Sequence, residues 1–338
     1  MTPSGKRTVL VTGASGFVGG ALVRALQAAG DDVVCLVRPS SNRSGLDGVR
    51  FAVGDMADAR ALQAAMAGVD VVYHAAAVLK APWRKDFDSA NIDGAACVAA
   101  ACAAMAAPPI LVLVSSLAAA GPTLSSRARI ESDPPAPVSR YGRAKLACER
   151  VVARVAGQVP VSIVRPPMVT GGGDLSALPL FRLATRGVRL SPGPLAQKLS
   201  LIDVDDLARL LRLVATAGER LDPAAADASG QGIYFATGSE ATTWGDLADA
   251  VAIAVGRPGG LRVTVPKALI WLAAAAGETV GRLRDEPTLL NLDKAREASA
   301  GAWWCSGAKA VDGLGFRATP LAASLLATAD GYRQRGWL

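Results

Sequence analysis

Short runs of β-branched and other apolar residues alternate with longer alanine- and leucine-rich stretches through the first half of the chain. Thr8 to Val11 reads as a buried strand, and Phe17 to Ala29 as a helix stopped by Gly30. Val33 to Val37 is a second strand, Phe51 to Val53 a short third, and Val69 to His74 a fourth, with a helix at Ala59 to Met66. Ile92 to Ala106 reads as a helix ended by Pro108-Pro109, followed by a fifth strand, Ile110 to Ser115. Tyr141 to Ala156 is helical, and Val161 to Val164 is a sixth strand. Continuous apolar strands separated by helices predict an α/β protein with a parallel sheet covered on both faces.

The rhythm changes after Arg165. Gly/Pro-rich stretches run from Pro166 to Gly173 and from Ser191 to Pro194. Leu201 to Leu213 reads as a short strand and a helix, and Ile233 to Ala236 as one more strand. Leu201 to Ala236 is therefore expected to return to the sheet. From Thr242 onward the pattern is mostly helical with proline breaks.

The 338 residues suit roughly two domains at about 150 residues each. With 51% hydrophobic and 19% charged residues the chain is not disordered. The net charge of +7 is spread singly, as at Arg24, Arg60, Arg154 and Arg209, and aromatic residues are only 5%, so no nucleic-acid partner is expected. The five cysteines, Cys35, Cys97, Cys102, Cys148 and Cys305, show no C-x-x-C spacing, and His74 is the only histidine, which argues against a metal site. The apolar run near the start is too short for a signal peptide. The longest later run, Ala268 to Ala276, is far short of a bilayer span. These features predict a soluble protein of a reducing, cytoplasmic compartment.

The first strand runs into Thr12-Gly13-Ala14-Ser15-Gly16-Phe17-Val18-Gly19. Gly13 permits a tight turn, Gly16 lets the backbone approach a pyrophosphate, and Gly19 lets the helix pack on the strand. The helix start then offers free N–H groups and a partial positive charge. This predicts dinucleotide binding on a Rossmann-type doubly wound sheet. Residues 1–165 and 201–237 would form that domain, and 166–200 with 238–338 a smaller, mostly helical substrate lobe. The second strand ends in Arg38-Pro39-Ser40-Ser41-Asn42-Arg43, with no acid for the ribose hydroxyls. Arg38 and Arg43 suit a 2′-phosphate, so NADP(H) is preferred and NAD(H) is possible. In the alternative reading Arg38 stacks on adenine.

Tyr141-Gly142-Arg143-Ala144-Lys145 places a phenol and an ammonium at i and i+4 on one helix face. The ammonium is expected to lower the phenol pKa and suit it to proton transfer. With TGASGFVG at 12–19, GDMAD at 54–58, HAAA at 74–77, NIDG at 91–94, SS at 115–116, RPPMVTG at 165–171 and LIDVDDLA at 201–208, the chain resembles an extended short-chain dehydrogenase/reductase over nearly its whole length. The resemblance implies that Ser116, five residues before Gly121, hydrogen-bonds the substrate oxygen. Tyr141 would be the general acid/base, and Lys145 would lower its pKa and bind the nicotinamide ribose. Asp55 would contact adenine, with Met56 supplying backbone. Further cofactor contacts would come from Gly13, Ser15, Gly16, Phe17, Val18, Gly19, Ala75, Ala76, Ala77, Asn91, Pro166 and Val169. His74 would end a strand and take no part in catalysis, and Asn91 reads equally as a helix-start hydrogen bonder. Asp203, Asp205 and Asp206 would be structural, with Asp205 or Asp206 capping a helix that begins near Leu207. A homodimer is the family-level expectation.

Two departures separate this chain from nucleotide-sugar epimerases and dehydratases. Met168 stands where those enzymes typically carry asparagine, and Leu199 where they carry an arginine for the diphosphate, although Lys198 is adjacent. Ser116 is followed by Leu117-Ala118-Ala119 without the acid of a dehydratase. An apolar ketone or secondary alcohol, lipid-, polyketide- or steroid-like, is the expected substrate. An NAD-dependent nucleotide-sugar epimerase and a non-catalytic cofactor-binding sensor or scaffold are the alternatives. The segment Leu269 to Ala276 reads as a core helix of the small lobe, with a pocket lining or a membrane contact as its other readings. The ending, Gly331 to Leu338, resembles that of steroid-dehydrogenase-like and flavonol-reductase-like members.

Overall fold

The computed structural model describes residues 6–77, 89–123, 126–224, 229–238, 241–284 and 291–338. In it the first apolar run forms β1 (Thr8–Thr12), followed by α1 (Phe17–Ala28), β2 (Asp32–Val37), β3 (Arg50–Val53), α2 (Ala59–Ala65) and β4 (Val71–His74). A π-helical turn, Ser89–Asp93, leads into α3 (Gly94–Ala103), then β5 (Ile110–Val114), α4 (Leu117–Ala120), α5 (Arg140–Ala153) and β6 (Val161–Arg165). These strands and β11 (Ile233–Phe235) form a seven-stranded sheet in the order β11-β6-β5-β4-β1-β2-β3. All its neighbours pair in parallel. The fold is Rossmann-like α/β, as the alternation predicts.

Apart from the exposed edge strand β3, the strands are buried on both faces, so their side chains feed two cores by period-two alternation. Val9 and Val11 of β1 face one core with α1, and Leu10 faces the other with α2, α3 and α5. The chain order runs outward in opposite directions from β1 and β4. That switch point, at the carboxyl ends of the strands, is where such sheets bind ligands.

Beyond β6 come β7 (Met168–Thr170), α6 (Leu178–Thr185), β8 (Val188–Ser191), β9 (Lys198–Leu199), β10 (Leu201–Asp203) and α7 (Val204–Ala217). The return to the sheet is made by α7, which packs on α1, and by β11, which pairs with β6. β10 instead pairs with β7 outside the main sheet. The last part holds β12 (Thr242–Thr243), α8 (Trp244–Ala254), β13 (Leu261–Thr264), α9 (Lys267–Arg284), α10 (Leu292–Ser299), α11 (Ala308–Leu314) and α12 (Leu321–Gln334). It is mostly helical, but two short ribbons, β12 with β9 and β13 with β8, tie it to the segment after β6. A third core gathers Phe181, Leu199, Leu247, Val251, Leu325 and Tyr332. The Phe181 and Tyr332 rings meet edge to face at 5.1 Å.

Candidate active site

The glycine loop closes the carboxyl end of β1 against the carboxyl end of β4. Gly13 has φ +75°, and a Cβ there would lie 2.6 Å from the Ala76 backbone nitrogen and Cα. Only glycine accepts both the conformation and that approach. A Cβ on Gly19 would overlap the Gly13 carbonyl, so α1 packs directly on the loop. Gly16 is different: it is exposed, has φ −85°, and its N–H bonds the Gly13 carbonyl at 3.0 Å. It precedes α1 with no side-chain cap and no acid in the first turn. The first N–H groups of α1 are thus left for an anionic ligand, and Ser15 and Gly16 are exposed beside them. This cradle fits a dinucleotide pyrophosphate. The Phe17 ring lies under the glycines after β7, 3.1 Å from a Cβ built on Gly171. Val18 and Val169 pack at the margin of the same core.

Arg38, directly after β2, and Arg43 are exposed at the carboxyl edge of the sheet. The loop between them is held by Ser41, whose hydroxyl accepts from the Arg38 N–H at 3.1 Å. The Arg38 side chain has no hydrogen bond or ion pair among the described residues, whereas the Arg43 guanidinium stacks 5.1 Å from the Phe51 ring centroid. Asp55 is exposed and accepts from the Ala57 N–H at 2.9 Å, and Met56 packs on the α3 side. Asp55 and the two arginines therefore flank the sheet edge beyond the glycine loop.

His74 ends β4 and is buried, its Nδ1 2.7 Å from the Thr12 hydroxyl, which also accepts from the Ala76 N–H at 3.3 Å. Burial, with the Lys145 ammonium adding to it, pulls its pKa down to about 3. The imidazole is neutral and ties the ends of β1 and β4 together. Ala75 and Ala76 are half-buried against the glycine loop, and Ala77 is exposed.

At the end of β5, Ser116 caps α4, its oxygen accepting from the Ala118 N–H at 3.1 Å. It is also hydrogen-bonded to the Tyr141 hydroxyl. Lys145, one turn along α5, is buried and donates to the Val114 carbonyl at 2.9 Å. Ser116, Tyr141 and Lys145 are thus brought together beside the glycine loop. The expected lowering of the phenol pKa by lysine is not what governs here. Burial pushes the Tyr141 phenol up, the Ser116 bond pulls it down, and Glu297 pushes it up further. Burial also lowers the Lys145 ammonium. Asn91, in the π-helical turn, is buried and sits against α5, where its carbonyl accepts from the Cys148 thiol at 3.3 Å. The Pro166 carbonyl accepts from the Leu117 N–H at 2.8 Å, fixing the segment after β6 to the residue next to Ser116.

Several residues around this centre escape sequence reasoning. Glu149 lies one further turn along α5 and forms a buried bidentate pair with Arg165, at 2.9 and 2.6 Å. The Ser115 hydroxyl donates to the same carboxylate at 2.5 Å. From α10, both carboxylate oxygens of Asp293 accept from the first N–H groups of α5, Arg140 at 2.7 Å and Tyr141 at 3.1 Å. Ser139 accepts from the Gly142 N–H at 2.9 Å. The Lys294 ammonium is 5.6 Å from the Tyr141 ring centroid and 2.7 Å from Glu297. A capping signal at Ser139 is readable in sequence; the contacts from α10 are not.

Two expectations change. Asp203, not Asp205 or Asp206, caps α7, accepting from the Asp205 N–H at 2.8 Å, and the helix starts at Val204. Asp206 instead is buried and binds Arg209 and the Thr319 hydroxyl, the latter at 2.9 Å. Leu199 is buried in the third core, with Met168 packed against it, so Leu199 reads as core and not as pocket lining. Lys198 lies 3.9 Å over the Trp304 ring.

A family model described as the NAD dependent epimerase/dehydratase family matches residues 9–225. The chain is similar to the ceramide reductase of Caulobacter vibrioides, 32% identical over 350 aligned positions that span 100% of this chain and 98% of that one. It is also similar to the 2-alkyl-3-oxoalkanoate reductase of Stenotrophomonas maltophilia, 32% identical over 74% of this chain and 76% of the relative. Among solved structures, the UDP-glucose 4-epimerase of Thermotoga maritima with UDP-glucose superposes with a TM-score of 0.75 at 18% identity, covering 97% of this chain and 99% of that one. That likeness is one of fold.

Proposed function

The chain belongs to the NAD dependent epimerase/dehydratase family, and on that premise we propose that it is an NADP(H)-dependent oxidoreductase interconverting a ketone and a secondary alcohol on an apolar, lipid-like molecule. The observation that carries this reading is the convergence of Ser116 on Tyr141, with Lys145 one turn away, beside an uncapped glycine-loop helix. A pure binding module has no use for that triad. The names of the two relatives, reductases of ceramide and of an alkyl-oxoalkanoate, support an apolar carbonyl substrate. So does the absence of the asparagine and arginine that hold a nucleotide diphosphate.

In this reading residues 1–165 and 201–237 hold the cofactor, and 166–200 with 238–338 form the lobe that receives the substrate. Gly13 to Gly19 and α1 take the pyrophosphate, Arg38 the 2′-phosphate, Asp55 the adenine side and Lys145 the nicotinamide ribose. When bound, the dinucleotide supplies the hydride in reduction and takes it up in oxidation. Ser116 Oγ holds the substrate oxygen. Tyr141 donates its proton to that oxygen, or takes it from the alcohol in the reverse direction. A phenol whose pKa is raised by burial is protonated at neutral pH, which suits it to the donor role.

The test is a pair of assays on the purified chain. NADPH oxidation in the presence of long-chain ketones, lost in Tyr141→Phe while NADPH still binds, is the expected result. Interconversion of UDP-sugars on protein that carries NAD through purification, with no ketone turnover, would replace this reading with the epimerase one.

A further inference from the structure

α10 reaches the candidate site from a fixed base. Ile270 and Ala274 of α9 pack with Leu292, Ala295 and Ala298, while Leu269 and Leu272 stay exposed on the other side of α9. Asp293 ties the start of α10 to the Arg140 and Tyr141 N–H groups. Near its other end the Glu297 carbonyl accepts from the Trp303 indole N–H at 2.8 Å. Trp303 in turn packs on the cluster of Leu117 and Ala120, just beyond Ser116. Glu297 is thereby held close to both Tyr141 and the turn that carries Ser116. Its two carboxylate oxygens differ. Oε2 accepts from the Lys294 ammonium at 2.7 Å, and that ammonium is 5.6 Å from the Tyr141 ring centroid. Oε1 is buried and has no hydrogen-bond partner among the described residues. The Glu297 charge is felt at Tyr141, whose phenol it pushes up. The structural contacts of Glu297, the Lys294 pair and the Trp303 bond, use Oε2 and the main chain and leave Oε1 spare. A buried acceptor without a donor is costly, and a charged one more so.

We propose that Glu297 is a specificity-determining residue, whose Oε1 accepts a hydrogen bond from an N–H or O–H that the substrate carries within a few bonds of the reacting carbonyl. The inference rests on the reductase reading and narrows its substrate class, from apolar ketones in general to apolar ketones with a neighbouring amide or hydroxyl donor. Such a donor satisfies the buried acceptor, and a plain ketone leaves it unpaired. A site built to hydrogen-bond a substrate group rejects the analogue without that group far more strongly than a pocket rejects a missing methylene. The Lys294 side chain is exposed, so its ammonium can swing aside as the donor enters without giving up packing.

The experiment is the NADPH-driven reduction, by the full chain, of 3-octadecanone and of its 2-hydroxy and 2-acetamido derivatives. The expected wild-type result is a kcat/KM about tenfold to a hundredfold higher for a donor-bearing ketone than for the plain one, the scale of a hydrogen bond to a charged group. Glu297→Met, close to glutamate in shape but with no oxygen acceptor, should bring that ratio to within about threefold of unity. Glu297→Gln keeps a neutral acceptor and should keep part of the preference. Each ratio is taken on one protein at a time, so a change in the Tyr141 pKa or in the folded fraction cancels. Equal kcat/KM for all three ketones in the wild type overturns the inference and leaves the reductase reading standing. So does a preference that Glu297→Met retains in full. If no ketone is reduced while UDP-sugars are interconverted, the reductase reading falls and this inference with it.

Discussion

Ser115 and Ser116 are adjacent at the end of β5 and serve opposite partners: Ser115 donates to the buried Glu149 carboxylate, and Ser116 bonds the Tyr141 hydroxyl. Their separation predicts two different phenotypes. Ser116→Ala should lower kcat by about 10²-fold or more, the usual scale for losing an oxygen-orienting donor, and cost about 1 kcal/mol of stability through the lost α4 cap. Ser115→Ala removes a hydrogen bond to a buried charge and should cost about 1.5–3 kcal/mol of stability. Equal kinetic losses in both, with equal stability, would contradict the assignment.

Glu149→Gln should be the more damaging change. It leaves the buried Arg165 guanidinium without its counter-charge, at a cost of about 3–5 kcal/mol. Chemical denaturation of the variant gives the number. A loss below about 1 kcal/mol would mean that the pair is dispensable to the fold.

The glycines of the loop separate folding from binding. Gly13→Ala forces a Cβ into the Ala76 backbone at a positive φ, where strain alone costs about 1–2 kcal/mol. Its melting temperature should fall before any ligand is added. At Gly16 the φ is ordinary and a Cβ comes no nearer than 3.3 Å to the Gly13 oxygen. Gly16→Ala should fold and lose NADPH affinity, read by fluorescence titration.

Arg38→Asp should lower NADPH affinity by roughly tenfold or more, the scale of a charge-assisted contact to phosphate, and leave NADH binding in place. Unchanged preference would return Arg38 to the adenine-stacking reading.

His74 gives the pH dependence of stability a distinct window. Its folded-state pKa of about 3 lies below the ordinary 6.5, so the unfolded chain binds the extra proton between those values. Stability is complete above about pH 6.5 and falls as the pH drops toward 3. Between pH 5 and 6.5 most carboxylates have not yet titrated, and His74 is the only histidine. His74→Asn should flatten the melting temperature in that range. An unaltered slope would assign it to other groups.

The phenol of Tyr141 offers a kinetic counterpart. Glu297 holds its pKa up, so Glu297→Gln should move the alkaline limb of the reduction rate toward lower pH. A limb that stays fixed would show that Glu297 does not act on the phenol.

The alternation of apolar strands and alanine-rich helices made β1 to β6 and helices α1, α2, α3 and α5 readable, because each repeats its own period over enough residues, whereas the four residues of α4 do not. The ribbons of β9 and β12 are two residues each, too short for any period, and they pair across more than forty residues of chain. The glycine loop and the Tyr141–Lys145 spacing were legible because their chemistry is local. Glu149 with Arg165 and Asp293 with Arg140 were not, since those partners meet only in the folded chain. The apolar run in α9 shows a further limit. Leucines and alanines on every side of a helix do not say which side faces solvent.

The cap that Asp293 places on α5 has a consequence in time. The Tyr141 N–H and its acceptor are separated by 152 residues of chain. At ribosomal speeds that is on the order of ten seconds of synthesis between the emergence of the helix and that of the carboxylate holding its first turn. Ser139 can start the helix at once, because it lies next door. The orientation of Tyr141 is finished from the other end of the gene's product. A chain cut short before α10 should therefore present a frayed first turn where the acid/base group belongs, and it also lacks the Ala310 and Phe316 that complete the core under α1.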